Sequence, residues 1–64
     1  MSIEKFIGRI IELIYQDSKG NITKRQISVY QVDRGKLRGF DTVKQAYRTF
    51  ALERILAARP VSGL

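Results

Sequence analysis

The chain has 64 residues, of which twelve are basic and six acidic, so its formal net charge is +6. A domain of this length has one small core and buries only about 60% of the surface of its unfolded chain. The sequence contains neither cysteine nor histidine, which excludes disulfide bonds, thiolate metal sites and the commonest catalytic base. We therefore expect a single domain over residues 1–64 that holds no metal and no cofactor.

The positive charge is concentrated in the second half of the chain. From Arg34 onward there are seven basic residues and two acidic ones. Such an excess is typical of proteins that bind a polyanion, most often nucleic acid. The alternative is a well-solvated surface without a specific partner.

The N-terminus and the apolar segments indicate a cytoplasmic protein. Residues 1–9 lack the basic segment and apolar run of a signal peptide, and no apolar run approaches the length of a membrane span. The absence of cysteine is compatible with the cytoplasm. We expect no membrane partner.

The first predicted elements are a helical turn and a strand. Apolar residues recur at helical spacing within residues 2–7, where Ser2 is a candidate N-cap, and Gly8 ends the turn. The strand over residues 9–17 has apolar residues on both faces, with Ile11, Leu13 and Tyr15 on one and Ile10 and Ile14 on the other. Either the helical turn, through Phe6 and Ile7, or a second subunit should cover one of these faces.

Turn residues then divide the rest of the chain into four further strands. Gly20 and Gly35 mark two hairpin turns with positive φ, on either side of a long strand over residues 22–33. The alternation changes phase within that strand, which indicates a β-bulge. A third strand covers residues 37–41, with Gly39 at a kink or a close backbone approach, and residues 42–45 turn again.

The fourth strand leads through a short turn at residues 51–53 to a last strand over residues 54–61, where Pro60 suits an edge or a strand end. The expected fold is all-β: a small five-stranded antiparallel barrel, partly open, preceded by a short helical turn.

The fourth strand contains the most informative motif, Tyr47-Arg48-Thr49-Phe50, with Arg54 and Ile55 following. In a strand Arg48 and Phe50 share a face, and an unpaired arginine cannot be buried with a core phenylalanine. Arg48 should therefore lie at the rim of the sheet with its guanidinium exposed. Phe50 and Ile55 are core candidates, and the chain is expected to bring Arg48 and Arg54 together.

These motifs resemble the WYL domain family. The resemblance rests on the strand Ile11–Asp17, the glycine-containing turn, Arg25 before an alternating strand, and the spacing of Arg48, Phe50, Arg54 and Ile55, and it covers nearly the whole chain. It implies an Sm-like, Src-homology-3-like barrel. It also implies a bacterial or phage-associated module that recognises nucleic acid or another anionic effector, as in transcription regulators.

The chain departs from the family in two respects. Only the leucine of the tripeptide that names the family is kept, in Gly35-Lys36-Leu37, and within these 64 residues we expect no helix-turn-helix before the domain. The first departure leaves the ligand undefined, and the second removes any direct claim to repressor or activator function.

Five residues are candidates for a ligand site: Arg48, Arg54, Arg25, Arg38 and Tyr47. A guanidinium suits phosphate oxygens and stacks on bases, whereas the alternative for Arg48 and Arg54 is pairing with Glu12, Asp41 or Glu53. Arg25 and Arg38 could complete the patch or be solvated charges. Tyr15, Tyr30 and Tyr47 are aromatic candidates, of which Tyr47 is the better stacking residue, because it faces away from Phe50.

Catalysis has little support, since no histidine, cysteine, carboxylate pair or glycine-rich phosphate loop is present. The sequence favours a non-enzymatic module that binds single-stranded nucleic acid or a nucleotide-type anion. The alternative is a structural interaction module, for instance a homodimer, that assembles through an open strand edge.

Overall fold

A computed structural model describes residues 3–61. It contains five antiparallel strands in one sheet, ordered β4-β3-β2-β1-β5. The strands are β1 (Ile10–Gln16), β2 (Ile22–Asp33), β3 (Lys36–Asp41), β4 (Ala46–Ala51) and β5 (Ile55–Pro60). A 3₁₀ helix (Ile3–Phe6) precedes β1, and a second 3₁₀ helix (Leu52–Arg54) joins β4 to β5. The all-β prediction is confirmed, but the sheet does not close into a barrel, since β4 and β5 stand at opposite ends of the strand order.

The core lies on one face of the curled sheet, here called the inner face. Alternate residues of β1 to β4 point into it, because side chains alternate between the two faces of a strand. The buried apolar residues are Ile11, Leu13, Ile27, Val29, Leu37 and Phe50 from the strands, with Ile3 and Phe6 from the first 3₁₀ helix. Tyr15 and Ile55 pack against this cluster, half-buried.

The N-terminal 3₁₀ helix covers the inner face as a lid, where Ile3 and Phe6 join the core and the helix packs mainly on β2. Phe6 makes that contact, whereas Ile7 is exposed, so its predicted part in the lid is wrong. The helix is a single turn in which the core contacts fall three residues apart, at Ile3 and Phe6, and Ile7 follows its end. The predicted N-cap, Ser2, lies outside the described residues. The opposite face of β1 keeps Ile10 exposed.

The two predicted hairpin turns are confirmed. Gly20 has φ +87 and Gly35 has φ +75. Arg34, the other central residue of the β2–β3 turn, has φ +52. Positive φ at both central residues is what a two-residue type I′ turn requires, and this turn sets the register of β3 on β2.

The predicted irregularities of the sheet are also present. The β2–β3 register shifts between Val29 and Gln31, which leaves Tyr30 as the extra residue of a β-bulge. Gly39 lies directly against β2: a Cβ atom there would collide with the side chain of Ile27 and stand 2.7 Å from the carbonyl oxygen of Ser28. Only glycine fits this approach.

Several boundaries differ from the prediction by one residue, and the start of the last strand is the one that moves a candidate site residue. Arg54 belongs to the second 3₁₀ helix and not to the last strand, which begins at Ile55. The backbone N–H of Leu52 donates to the carbonyl oxygen of Gly35, 2.9 Å away, and that of Ile55 donates to Leu52. These two bonds place Leu52–Arg54 beside the β2–β3 turn and complete a helical turn before β5 can start.

Candidate functional site

Three aromatic side chains lie together on the outer face, the side of the sheet opposite the core. Phe40 of β3 is paired directly with Tyr47 of β4, and their ring centroids are 5.0 Å apart in an edge-to-face arrangement. Tyr30 stands 6.0 Å from Tyr47, also edge to face. Tyr47 is 72% exposed and Tyr30 51%, while Phe40 is half-buried. We call Tyr30, Phe40 and Tyr47 the aromatic cluster.

The sheet register explains why these rings meet. Leu37 and Phe50 are paired on the inner face, so Phe40 and Tyr47, at the opposite parity of their strands, point outward. Tyr30 reaches the same surface by alternation along β2, two residues after Ser28, which is paired with Phe40. The β2–β3 and β3–β4 pairings therefore assemble the cluster, with Tyr30 as the extra residue of the β-bulge.

Basic side chains continue the outer face along β3. Arg38 lies two residues before Phe40 and opposite Thr49 of β4, and Lys36 lies two residues earlier, opposite Ala51. Both are exposed. Within residues 3–61 neither makes an ion pair, so both charges are available to an anion. Arg38 and Tyr47 are thus two predicted site residues that the structure brings to one surface.

Arg48 lies at the rim, as its pattern predicts. It shares the inner-face parity of Phe50 but is exposed, because β4 is an edge strand and Gly39 is its partner in β3. It makes no ion pair in the part of the chain that the structure describes. Its parity places it on the opposite face of β4 from Tyr47.

Arg54 lies on another element, at the end of the second 3₁₀ helix. The pKa of Asp17 is lowered, mainly because the backbone N–H of Asn21 donates to its carboxylate, and the charge of Arg54 adds a smaller effect in the same direction. Arg48 and Arg54 therefore have different neighbours, and their joint role in one site stays a prediction.

Arg25 forms an ion pair with a buried carboxylate. Its guanidinium Nη1 lies 3.4 Å from Oδ2 of Asp41, which is 1% exposed. Oδ1 of Asp41 accepts the backbone N–H groups of Lys44, 2.9 Å away, and Val43, 3.0 Å away. These hydrogen bonds, the one from Lys44 first, hold the pKa of Asp41 below its usual value despite its burial. Arg25 thus balances a charge that fixes the turn after β3, and this role was not predicted.

Glu12 is likewise occupied by other cations. Its carboxylate lies 2.7 Å from Arg59 Nη2 and 3.5 Å from Lys24 Nζ. The hydrogen bond from Arg59 is the main cause of the lowered pKa of Glu12. The suggested pairing of Arg48 or Arg54 with Glu12 or Asp41 is therefore not found, because Arg59, Lys24 and Arg25 hold those carboxylates.

A half-open cleft of about 270 Å³ lies between the first part of β2 and the turn after β3. Its cations are Lys24, Arg25 and Lys44. The first two are paired with Glu12 and Asp41, which leaves Lys44 as the unpaired cation among the residues described there. The aromatic cluster, together with Lys36 and Arg38 of β3, which are unpaired in the described chain, is therefore a stronger candidate for a ligand site than this cleft.

Sequence reasoning found Tyr47, considered Tyr30 and overlooked Phe40. The available signal was strand parity, since Leu37 as a core residue implies that Lys36, Arg38 and Phe40 face outward. The β2–β3 and β3–β4 registers, which bring Tyr30 and Phe40 to Tyr47, became visible only in the structure.

No family model, no curated protein and no solved structure matches this chain. Among residues 3–61, no helix has the length and apolar character needed to cross a membrane.

Proposed function

We propose that this protein is a non-enzymatic cytoplasmic module that binds single-stranded nucleic acid or a nucleotide-type anion through the aromatic cluster and Arg38. The observation that carries the proposal is the cluster itself, three rings gathered on the outer face with two of them more than half exposed. Exposed rings on a sheet surface stack on unpaired bases, and each such contact contributes about 1–3 kcal/mol.

The charges around the cluster suit a phosphate backbone. Arg38 lies on the same face two residues from Phe40, and its planar guanidinium can donate two hydrogen bonds to one phosphate. The net charge of +6 adds a long-range attraction for polyanions that falls with salt. A ring needs access to the face of a base, which the stack of a duplex conceals, so the proposal is for single strands.

The resemblance to the WYL domain family points in the same direction. The family recognises nucleic acid or other anionic effectors, and a bacterial regulatory role would follow from membership. Membership and that role are part of the proposal and rest on the motif spacing alone.

Titration of the protein with a single-stranded oligonucleotide at low salt tests the proposal. Since two of its three tyrosines are in the cluster and it has no tryptophan, stacking should quench tyrosine fluorescence directly. Tyr47→Ala is expected to weaken binding about 5- to 150-fold, the equivalent of one lost stacking contact.

Ile22→Ala provides the matched control. Ile22 is an exposed apolar residue at the start of β2, away from the cluster, and its loss should leave affinity unchanged. Equal losses for the two variants, or no binding by the parent protein at low salt, would contradict the proposal.

A second candidate function is self-assembly through strand edges. Among the residues that the structure describes, β4 and β5 are the edges of the open sheet, and such edges can pair with another chain. The exposed Ile10 and half-buried Ile14 on the outer face of β1 add apolar surface. Sedimentation over a range of protein concentrations tests this function, because a monomer at every concentration would remove it.

A further inference from the structure

We infer that the site takes a strand of about three to four nucleotides and not a single nucleotide, with the strand running along β3 from the aromatic cluster to Lys36. This inference rests on the proposed function and defines its ligand more narrowly. It also assigns Lys36, which neither the motif spacing nor the arginine pattern selects, as a phosphate-binding residue.

The spacing along β3 sets the length of the ligand. Phe40, Arg38 and Lys36 occupy alternate positions on one face of the strand, as their partners Tyr47, Thr49 and Ala51 in β4 show. Alternate residues of an antiparallel strand are about 7 Å apart, so the row from ring to lysine measures roughly 14 Å. A stacked nucleotide advances about 3.4 Å, and a splayed one further, so this row corresponds to at most about four nucleotides.

The order of the side chains along β3 determines where the bases and the phosphates of the ligand bind. The rings are at one end of the row and the two unpaired cations follow, so bases lie over the cluster and the next phosphates over Arg38 and Lys36. Tyr47 is edge to face with both Phe40 and Tyr30, at interplanar angles of 68° and 79°. Rings at such angles cannot enclose one base between parallel faces, so they contact separate bases.

The residues on either side of Arg38 and Lys36 leave room for the sugar-phosphate backbone of a nucleic acid strand. On the β4 side the partners of Arg38 and Lys36 are Thr49 and Ala51, which are too small to screen a phosphate. On the β2 side the partner of Lys36 is Asp33, whose carboxylate lies 3.8 Å from Arg34 Nε. That acid is therefore offset by a cation of its own.

A single nucleotide cannot use the whole row. Its phosphate can reach Arg38, about 7 Å from the ring at Phe40, but Lys36 lies about 7 Å beyond that. Lys36 should contribute only when the ligand has further phosphates. Arg38 should contribute to ligands of every length.

The test is a titration with 5′-phosphorylated oligothymidylates of one, two, three, four and six nucleotides at low salt. We expect affinity to rise at least tenfold from one to four nucleotides and to change little from four to six. Lys36→Ala should reduce this gain in affinity several-fold and leave the affinity for thymidine monophosphate unchanged. Lys36→Gln, which keeps a polar side chain but removes the charge, should behave in the same way, and Lys19→Ala, in the turn between β1 and β2, should have no effect.

The outcomes separate the two proposals. Equal affinity for one and four nucleotides, with Tyr47→Ala still weakening binding, would overturn the strand inference and leave the proposed function standing. Equal effects of Lys36→Ala on all lengths would overturn the assignment of Lys36 to a later phosphate. Absence of binding at every length would overturn the proposed function and the inference with it.

Discussion

Among single residues, Phe50 is expected to have a large influence on stability. It is 4% exposed, and its ring contacts Tyr15 edge to face, with centroids 4.9 Å apart. Phe50→Ala should lower the free energy of unfolding by about 3–5 kcal/mol, measured by urea denaturation, because it removes buried apolar surface and leaves a cavity. Small domains have about 5–15 kcal/mol in total, so the variant should be largely unfolded if the parent is at the low end. Tyr47→Ala, an exposed aromatic of the same strand, is the control, and similar losses for both would show that Phe50 is not a core residue.

Asp41 is the residue whose ionisation most directly supports the fold. Its pKa is lowered in the folded protein, so its stabilising effect is complete above the unfolded-state pKa of about 3.9 and is lost as the pH falls through the folded pKa. We therefore expect the free energy of unfolding to decrease when the pH is lowered below about 4. Asp41→Asn should destabilise by about 1–3 kcal/mol at neutral pH and make this fall shallower, because Arg25 then lacks its buried anion.

Asp33→Asn is the matched control for that prediction. Asp33 is exposed and meets only Arg34, at 3.8 Å, within the described chain. A surface pair of this kind contributes about 0–1 kcal/mol. An unchanged pH profile in Asp41→Asn would show that Asp41 is not the carboxylate responsible.

At the scale of the elements, Gly39 controls how β3 packs on β2. A Cβ at this position would collide with Ile27 and the Ser28 backbone, so Gly39→Ala must displace one strand from the other. We expect a loss of about 1–3 kcal/mol or more in the free energy of unfolding. At Gly20 a Cβ would meet only the Gln16 side chain, at 4.0 Å, but φ is positive, so Gly20→Ala should cost about 1 kcal/mol. A smaller loss at Gly39 than at Gly20, in parallel urea titrations, would rule out the close approach.

A comparison of the elements with the sequence shows which parts of this fold can be predicted from local patterns and which cannot. Glycines at 20 and 35, apolar alternation and the phase change in β2 are local signals, and the turns, strands and bulge predicted from them are all present. The partners of charged side chains are set by register between strands distant in the chain. The Arg25–Asp41 and Arg59–Glu12 pairs join residues 16 and 47 positions apart, so no local pattern could assign them. The aromatic cluster depends on the same long-range register.

At the scale of the whole molecule, the question is whether the charge of +6 acts as a general attraction or through a local site. Binding that neutralises phosphates releases counterions, and for a single strand log affinity falls with log salt by about 0.7 for each phosphate. Direct contacts to Lys36 and Arg38 alone predict a slope near −1.4. Participation of Arg48 and Arg54 as well, as the arginine spacing predicts, would give a slope near −3.

Two arginine variants decide between these possibilities. Arg38 and Arg48 lie on neighbouring strands, both exposed and without an ion pair in the described chain, but at opposite parities and so on opposite faces of the sheet. With the site on the outer face, Arg38→Ala should reduce the slope by about 0.7 and weaken binding of all sequences alike, while Arg48→Ala should leave the slope unchanged. Arg38→Lys should restore the slope but only part of the affinity, because lysine keeps the charge and loses the planar fork. A reduced slope in Arg48→Ala alone would move the site to the rim of the sheet. Equal reductions in Arg38→Ala, Arg48→Ala and Lys19→Ala would mean that the whole charge of the protein, and no particular surface, attracts the strand.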